Sequence, residues 1–247
     1  LSALEEFASG TSPEMKDTDR DTLPDGWEQE NGRNPLVADY QLEVGPSRDN
    51  GWESTDYICF IDDNGLKCWG DNLYGQSDSP TLFDPEKIKA GFNHTCAIDR
   101  NGLQCWGANA CAINPGSRLC TDGGNDRGKN VHGQTDVPVL VDPFEVALGF
   151  SHTCAIDRDG VVCWGDNFYG QIEKPTLKNP RQLSARHQHT CAIDDAGVSC
   201  WGYDENGITD VPPLSNPKQV SAGRQHTCAI DDNGVHCWGL DYLGSVD

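Results

Sequence analysis

The chain has 247 residues, 36% of them hydrophobic, with 27 Gly and 14 Pro; that length admits one large all-β domain or two ordinary ones, with many turns and a thin core. Its 39 acidic and 18 basic side chains give a formal charge of −21, which repels nucleic acid and anionic lipid and favours cations or basic partners. Twelve cysteines beside one methionine exclude an ordinary reducing compartment and imply an oxidising, extracellular one.

Residues 1–16 read as a tail or docking strand, without the basic and apolar regions of an export signal, so any such signal is removed or lies outside these residues. No apolar run reaches the length that crosses a membrane as a helix. The segment 17–40 opens with Asp-Thr-Asp-Arg-Asp-Thr-Leu-Pro-Asp-Gly-Trp-Glu, which places acids at positions 1, 3, 5, 9 and 12 of a twelve-residue loop. That is the ligand spacing of an EF-hand-like calcium site. Asp17, Asp19, Asp21 and Glu28 are the expected direct ligands, Leu23 offers its carbonyl, and Asp25 binds directly or through water. Thr22 stands where glycine usually makes the sharp turn, which lowers the expected affinity. The segment resembles the Asp-rich, thrombospondin type 3-like linkers of secreted proteins; the plainer reading is a solvated acidic linker.

From residue 41 to 247 the chain repeats itself. Cys-Ala-Ile-Asp, a turn, then Cys-Trp-Gly occurs five times with small changes, beginning at Cys59, Cys96, Cys154, Cys191 and Cys228. The separations are 37, 58, 37 and 37 residues, and the long one is 37 plus a 21-residue insertion between Asn109 and Gly133. Each unit reads as a β-hairpin, such as His226–Ile230 and Val235–Gly239 around Asp231–Gly234, preceded by a short inner strand. Residues 41–45 fit that inner strand in the first unit. Such a unit cannot bury both faces of its sheet alone, so neighbours must stack. The expected fold is an all-β propeller of about five blades, with an open β-solenoid or part of a larger ring as the alternative.

Each unit has the spacing Cys-x8-Cys, and Ile230 facing Val235 sets Cys228 opposite Cys237. The predicted disulfides are Cys59–Cys68, Cys96–Cys105, Cys154–Cys163, Cys191–Cys200 and Cys228–Cys237, each inside one hairpin. Cys111 and Cys120 share the spacing and should staple the insertion at about 110–132. Zinc is disfavoured, because its cysteine ligands favour pairs two to four residues apart.

Trp69, Trp106, Trp164, Trp201 and Trp238 follow the second cysteine and point to the opposite face, where a shared packing role is expected. His94, His152, His189 and His226 precede Thr-Cys, with Tyr57 at the matching place in the first unit. Each histidine is expected to satisfy one buried hydrogen bond within its own blade. Asp62, Asp99, Asp157, Asp194 and Asp231 recur in the turns, which the turn preference of aspartate explains.

The pattern Gly-x-x-His-Thr-Cys-Ala-Ile-Asp-x-x-Gly-Val-x-Cys-Trp-Gly-x-Asn-x-x-Gly-Gln, nearly complete from Gly149 to Gln171, resembles the regulator of chromosome condensation repeat in its cysteine-rich, bacterial secreted form. The resemblance implies a β-propeller, commonly seven-bladed, against the five units counted here. It implies no single function, because members include a nucleotide-exchange factor, a photoreceptor and an enzyme inhibitor.

No nucleophile with a base, phosphate loop or unrepeated carboxylate pair stands out, so an enzyme is not expected. The expected function is an extracellular, non-catalytic binding or adhesion module with calcium as its cofactor and a protein partner, recognised chiefly by the 110–132 insertion. One alternative is a structural subunit that self-assembles into a fibre or surface layer through its N-terminal segment. Another is a secreted inhibitor or lectin, with Tyr74, Tyr169, Asn72 and Asn167 as weak contact candidates. Asn93-His-Thr95 is a formal glycosylation sequon.

Overall fold

A computed structural model of the chain describes residues 41–45, 57–62, 65–108 and 132–240. The tail, the acidic loop 17–28 and the Cys111–Cys120 pair lie outside them. The described residues form fifteen strands in five antiparallel sheets of three, all joined in chain order. Blade 1 comprises β1 (Gln41–Val44), β2 (Tyr57–Asp62) and β3 (Gly65–Gly70). Blade 2 has β4 (Lys87–Ala90), β5 (His94–Asp99) and β6 (Gly102–Gly107), and blade 3 has β7 (Glu145–Leu148), β8 (His152–Asp157) and β9 (Gly160–Gly165). Blade 4 has β10 (Gln182–Arg186), β11 (His189–Asp194) and β12 (Gly197–Gly202). Blade 5 has β13 (Gln219–Ala222), β14 (His226–Asp231) and β15 (Gly234–Gly239). The predicted inner strand of the first unit is β1.

The hairpins have the predicted register. Cys228 pairs with Cys237 and Ile230 with Val235, but pairing continues to Asp231 and Gly234, so the loop is the two residues between them and not four. Aspartate makes this tight turn possible. Asp231 Oδ1 accepts from the Asn233 N–H at 2.7 Å, Oδ2 accepts from the Ser215 N–H at 2.7 Å, and Gly234 supplies the φ of +126° that closes the turn. Asp99, Asp157 and Asp194 bind the same way to Phe83, Val141 and Lys178. Each of these four aspartates therefore ties its turn to the linker entering its own blade. Five disulfides bridge the predicted partners, with Cα atoms 4.0–4.1 Å apart, the narrow spacing of directly opposed residues that exchange no backbone hydrogen bond.

The apolar core lies between blades. Cys154, Ile156 and Val161 of blade 3 pack against Leu183, Ala192 and Trp201 of blade 4. Cys191 and Ile193 of blade 4 pack in the same way against Val220, Ala229 and Trp238 of blade 5, and Cys59 and Ile61 of blade 1 against Ile88, Ala97 and Trp106 of blade 2. At these junctions one sheet thus brings a disulfide and Ile with Val or Leu, and the next receives them with an Ala and a Trp. Alternation of side chains along the strands enforces this division.

A polar relay accompanies each junction. His94 Nε2 lies 3.0 Å from Thr153 Oγ1, His152 Nε2 2.8 Å from Thr190 Oγ1, and His189 Nε2 2.9 Å from Thr227 Oγ1. These three histidines therefore reach the following blade through Nε2, and His94 also meets Asn93 of its own blade through Nδ1. Hairpin register governs contacts inside a blade, whereas a middle-strand residue at the seam meets its neighbour. Thr153 donates its single hydroxyl proton to the Gln134 carbonyl and Thr227 to that of Ile208, so His189 carries its proton on Nε2 toward Thr227. Trp164 and Trp238 donate their indole N–H to the same two carbonyls at 3.1 and 3.0 Å. At the first junction Tyr57 replaces histidine, and its hydroxyl lies 2.9 Å from Thr95 Oγ1.

The five tryptophans do not share one environment. Four are 7–9% exposed, but Trp69, with no described blade before it, is 51% exposed. Among the described residues, inner strands β1, β4, β7, β10 and β13 pack side by side in that order.

Candidate binding surface

The inner strands surround a common cavity of about 1000 Å³. The two ends of the arc differ, because each sheet runs inner, middle, outer in antiparallel order. The Asp-x-x-Gly turns lie at one end. At the other lie the inner-to-middle loops and the segments leaving each outer strand, joined where Ala108 N donates to Asn93 O, Asp166 N to Ser151 O and Tyr203 N to Gln188 O.

The turn end carries matched charges. Arg100 pairs with Asp84, Arg158 with Asp142, and Lys218 with Asp232. The Asp231 carboxyl is held down to about 2, first by the Ser215 N–H and then by those of Asn233 and the His236 ring. The repeat-built turns thus satisfy their own carboxylates.

The loop end carries the residues that break the repeat. Its inner-to-middle loops read Gly91-Phe-Asn-His94, Gly149-Phe-Ser-His152, Arg186-His-Gln-His189 and Gly223-Arg-Gln-His226. The glycine is needed where the following ring lies flat on the backbone: a Cβ at Gly149 would come within 2.0 Å of the His152 ring. Blade 4 has Arg186 there, and His187 adopts a φ of +53°. Phe92 and Phe150 stack with ring centroids 4.5 Å apart, and His187 meets Phe150 edge-on at 6.0 Å. Burial, then the charge of Arg224, lowers the pKa of His187, so this ring is neutral at neutral pH. Exposed Arg186 and Arg224 line the cavity beside it. Arg186 has no ion-pair partner among the described residues. Deeper in, Lys89 pairs with Glu43, and Lys87 with Glu145 at 2.7 Å.

The insertion leaves and rejoins the described chain at this same end. Ala108 is bonded to Asn93 O, and His132 Nδ1 lies 3.6 Å from Asp166 Oδ1. The weak contact candidates shape loops: Asn72 donates to Asp78 and accepts from Ser77, Asn167 repeats this with Glu173 and Ile172, and Tyr74 is buried. Tyr169 remains partly exposed between Phe168 and Tyr203. Asn93 is 3% exposed with its carboxamide on His94 Nδ1, so the sequon is not open to modification in the folded chain. The expected calcium ligands Asp17, Asp19, Asp21, Leu23, Asp25 and Glu28 lie outside the described residues. Arg186 and His187 had a sequence signal, the loss of the loop glycine at one loop in four.

The regulator of chromosome condensation (RCC1) repeat family matches residues 86–112, 145–171 and 218–245. Three of the five repeats match the RCC1 repeat. Among solved RCC1-like structures it is similar to Prp20p of Saccharomyces cerevisiae, with 16% identity, a TM-score of 0.60 and coverage of 82% of this chain and 57% of that one. That protein was described together with its binding to Gsp1p and histones. The ectodomain of the receptor kinase CR4 from Physcomitrella patens aligns at 23% identity and a TM-score of 0.55, over 74% of this chain and 49% of that one. Human WBSCR16 aligns at 17% identity and a TM-score of 0.60, over 86% of this chain and 65% of that one. The chain therefore spans about half to two-thirds of the length of these proteins, and the likeness concerns fold. Among curated proteins none matches. No helix among the described residues is long and apolar enough to cross a membrane.

Proposed function

We propose that this protein is an extracellular, non-catalytic binding module that engages a protein partner at the loop end of its RCC1-repeat scaffold. The observation that carries this reading is the gathering of unrepeated residues there: the Phe92–Phe150–His187 stack, Arg186 and Arg224 at the cavity mouth, and both flanks of the insertion. A rigid aromatic surface beside arginines has the composition of a binding hot spot. Five intrablade disulfides support an oxidising, extracellular setting. One structural neighbour, yeast RCC1 (Prp20), is described bound to Kap60, which favours binding over catalysis.

Immobilised protein, offered the extracellular proteins of its own source, tests the proposal. A partner held by the wild type should be released by Arg186→Glu with Arg224→Glu, at unchanged melting temperature. Retention unaffected by that pair and by removal of residues 110–132 would sink it. Calcium enters the proposal through the donor set of Asp17, Asp19, Asp21, Leu23, Asp25 and Glu28, all hard oxygen ligands at alternate positions. Calorimetric titration of metal-free protein should show heat that disappears in Asp17→Asn with Asp19→Asn.

A further inference from the structure

The walls of the central cavity are chemically unlike. Glu43 and Glu145 supply the carboxylates of the lining, and each is held by a lysine of blade 2, Lys89 and Lys87. The inner strands of blades 4 and 5 bring no carboxylate to it. At the places of Glu43 and Lys89, each opposite the first cysteine of its hairpin, they have Ser184 and Ser221. Ser184 Oγ accepts from the Ala222 N–H of blade 5 at 2.8 Å, which leaves its hydroxyl proton to be donated. Gln182 commits both ends of its amide to the Val220 backbone, at 3.0 and 3.4 Å.

Arg186 continues that face. It stands two residues beyond Ser184 in β10, so its side chain leaves the strand on the same side, toward blade 5 and the loop that carries Arg224. A Cβ at the matching Gly91 would likewise meet Leu148 of the following blade, at 3.1 Å. Arg224 lies near enough to His187 for its charge to lower that ring's pKa. The backbone beside Arg186 is fixed: His187 accepts at its carbonyl from the Phe150 N–H at 2.6 Å, while its ring meets Phe150 edge-on. The left-handed residues Asp84, Asp142, Asn179 and Asn216 recur at one linker position, whereas left-handed His187 has no counterpart in the three other described inner-to-middle loops.

We propose that the wall formed by blades 4 and 5 is an anion site for an acidic segment of a protein, with Arg186 and Arg224 receiving its carboxylates and the Ser184 hydroxyl donating beneath them. This inference rests on the loop-end binding reading and names the chemistry of the partner. The charged groups of this wall are donors only, since a guanidinium has no acceptor, and a carboxylate matches its fork with two parallel hydrogen bonds. The chain as a whole carries −21, so cations on a wall without a carboxylate select a local anion and are not part of a general field. A segment of chain suits the site better than a free anion. The mouth continues into the Phe92–Phe150–His187 surface, on which the residues flanking the acid can lie.

Fluorescence anisotropy of labelled hexaglutamate added to the full chain tests the proposal, in about 0.15 M sodium chloride, where a Debye length of about 8 Å screens distant carboxylates. Hexaglutamate should bind, and hexaglutamine with the same label should not. Arg186→Gln and Arg224→Gln should each weaken hexaglutamate about tenfold at unchanged melting temperature, and Arg186→Lys should weaken it less than Arg186→Gln. Equal affinity for the two peptides, or binding indifferent to both glutamine substitutions, would overturn the proposal. So would release of hexaglutamate by sodium sulfate at an ionic strength where sodium chloride leaves it bound, the mark of a site for free anions. Should one glutamine variant melt below the wild type, the other carries the same test. A captured partner that needs the loop end but is not displaced by hexaglutamate would sink this inference alone. A partner retained without either arginine or residues 110–132 would instead sink the loop-end reading.

Discussion

The junctions inside the arc and the two ends of the arc are built from the same repeat, yet they place equivalent residues in opposite environments. Trp201 is sealed against blade 3 and donates to the Gln171 carbonyl, whereas Trp69 stands half in solvent. His152 is fully buried between Gly149 and Thr190, whereas His226 is half-buried. The difference teaches that stability here belongs to pairs of blades, as expected of nearest-neighbour architectures, and that identical substitutions should have unequal effects at junctions and ends.

Acid should separate the two most strongly. Burial holds His94 and His152 down at about 3 and His189 at about 4, while an unfolded histidine titrates near about 6.5. Below that value the unfolded chain takes up protons that the folded junctions refuse. The stabilising effect is complete above pH ~6.5 and is lost as pH falls toward the folded values, by about 1.4 kcal/mol per unit for each histidine and about 4 kcal/mol per unit for the three. Denaturant midpoints measured downward from pH 7 should fall steeply, with unfolding at mildly acidic pH despite intact disulfides. His152→Gln should reduce the slope by roughly a third.

Truncating tryptophan comes next in size. Trp201→Ala should cost about 3–5 kcal/mol by chemical denaturation, and Trp69→Ala under about 1 kcal/mol, because only the first leaves a cavity and an unpaired carbonyl. Equal costs would mean that Trp69 is covered in solution. Replacing Cys191 and Cys200 together by Ala should cost roughly 2.5–3 kcal/mol, and the pair Cys228 and Cys237 about the same, because the loops closed are equally long. That equality distinguishes a restraint on the unfolded chain from a contribution of the junction. The smallest effect belongs to Arg186→Gly, which restores the repeat at an exposed site: within about 0.5 kcal/mol on stability, though it should weaken partner binding.

What the sequence disclosed follows the range of each interaction. Cys-x8-Cys and Asp-x-x-Gly are settled within one hairpin, so the register of Cys191 with Cys200 and the place of β1 were legible at once. The histidine bond was misplaced because its acceptor lies on a different blade, 38 residues away for His152 and Thr190, and hairpin register says nothing of that distance. Trp69 looked equivalent to its four counterparts because the repeat encodes a side chain's direction but not whether a neighbour stands there. The loop-end surface was hidden for the opposite reason. Arg186 and His187 are visible as departures from the pattern, but only folding shows that the departures meet beside Phe150.

Because every described cross-link joins two cysteines nine positions apart in the same hairpin, no bridge among the described residues ties one unit to another. Duplication or loss of a whole unit therefore leaves no orphan thiol, and oxidation can proceed hairpin by hairpin as the chain emerges, each sulfur meeting its mate before a rival is within reach. The number of blades is free to drift through gene rearrangement, while the covalent chemistry of each remains self-contained.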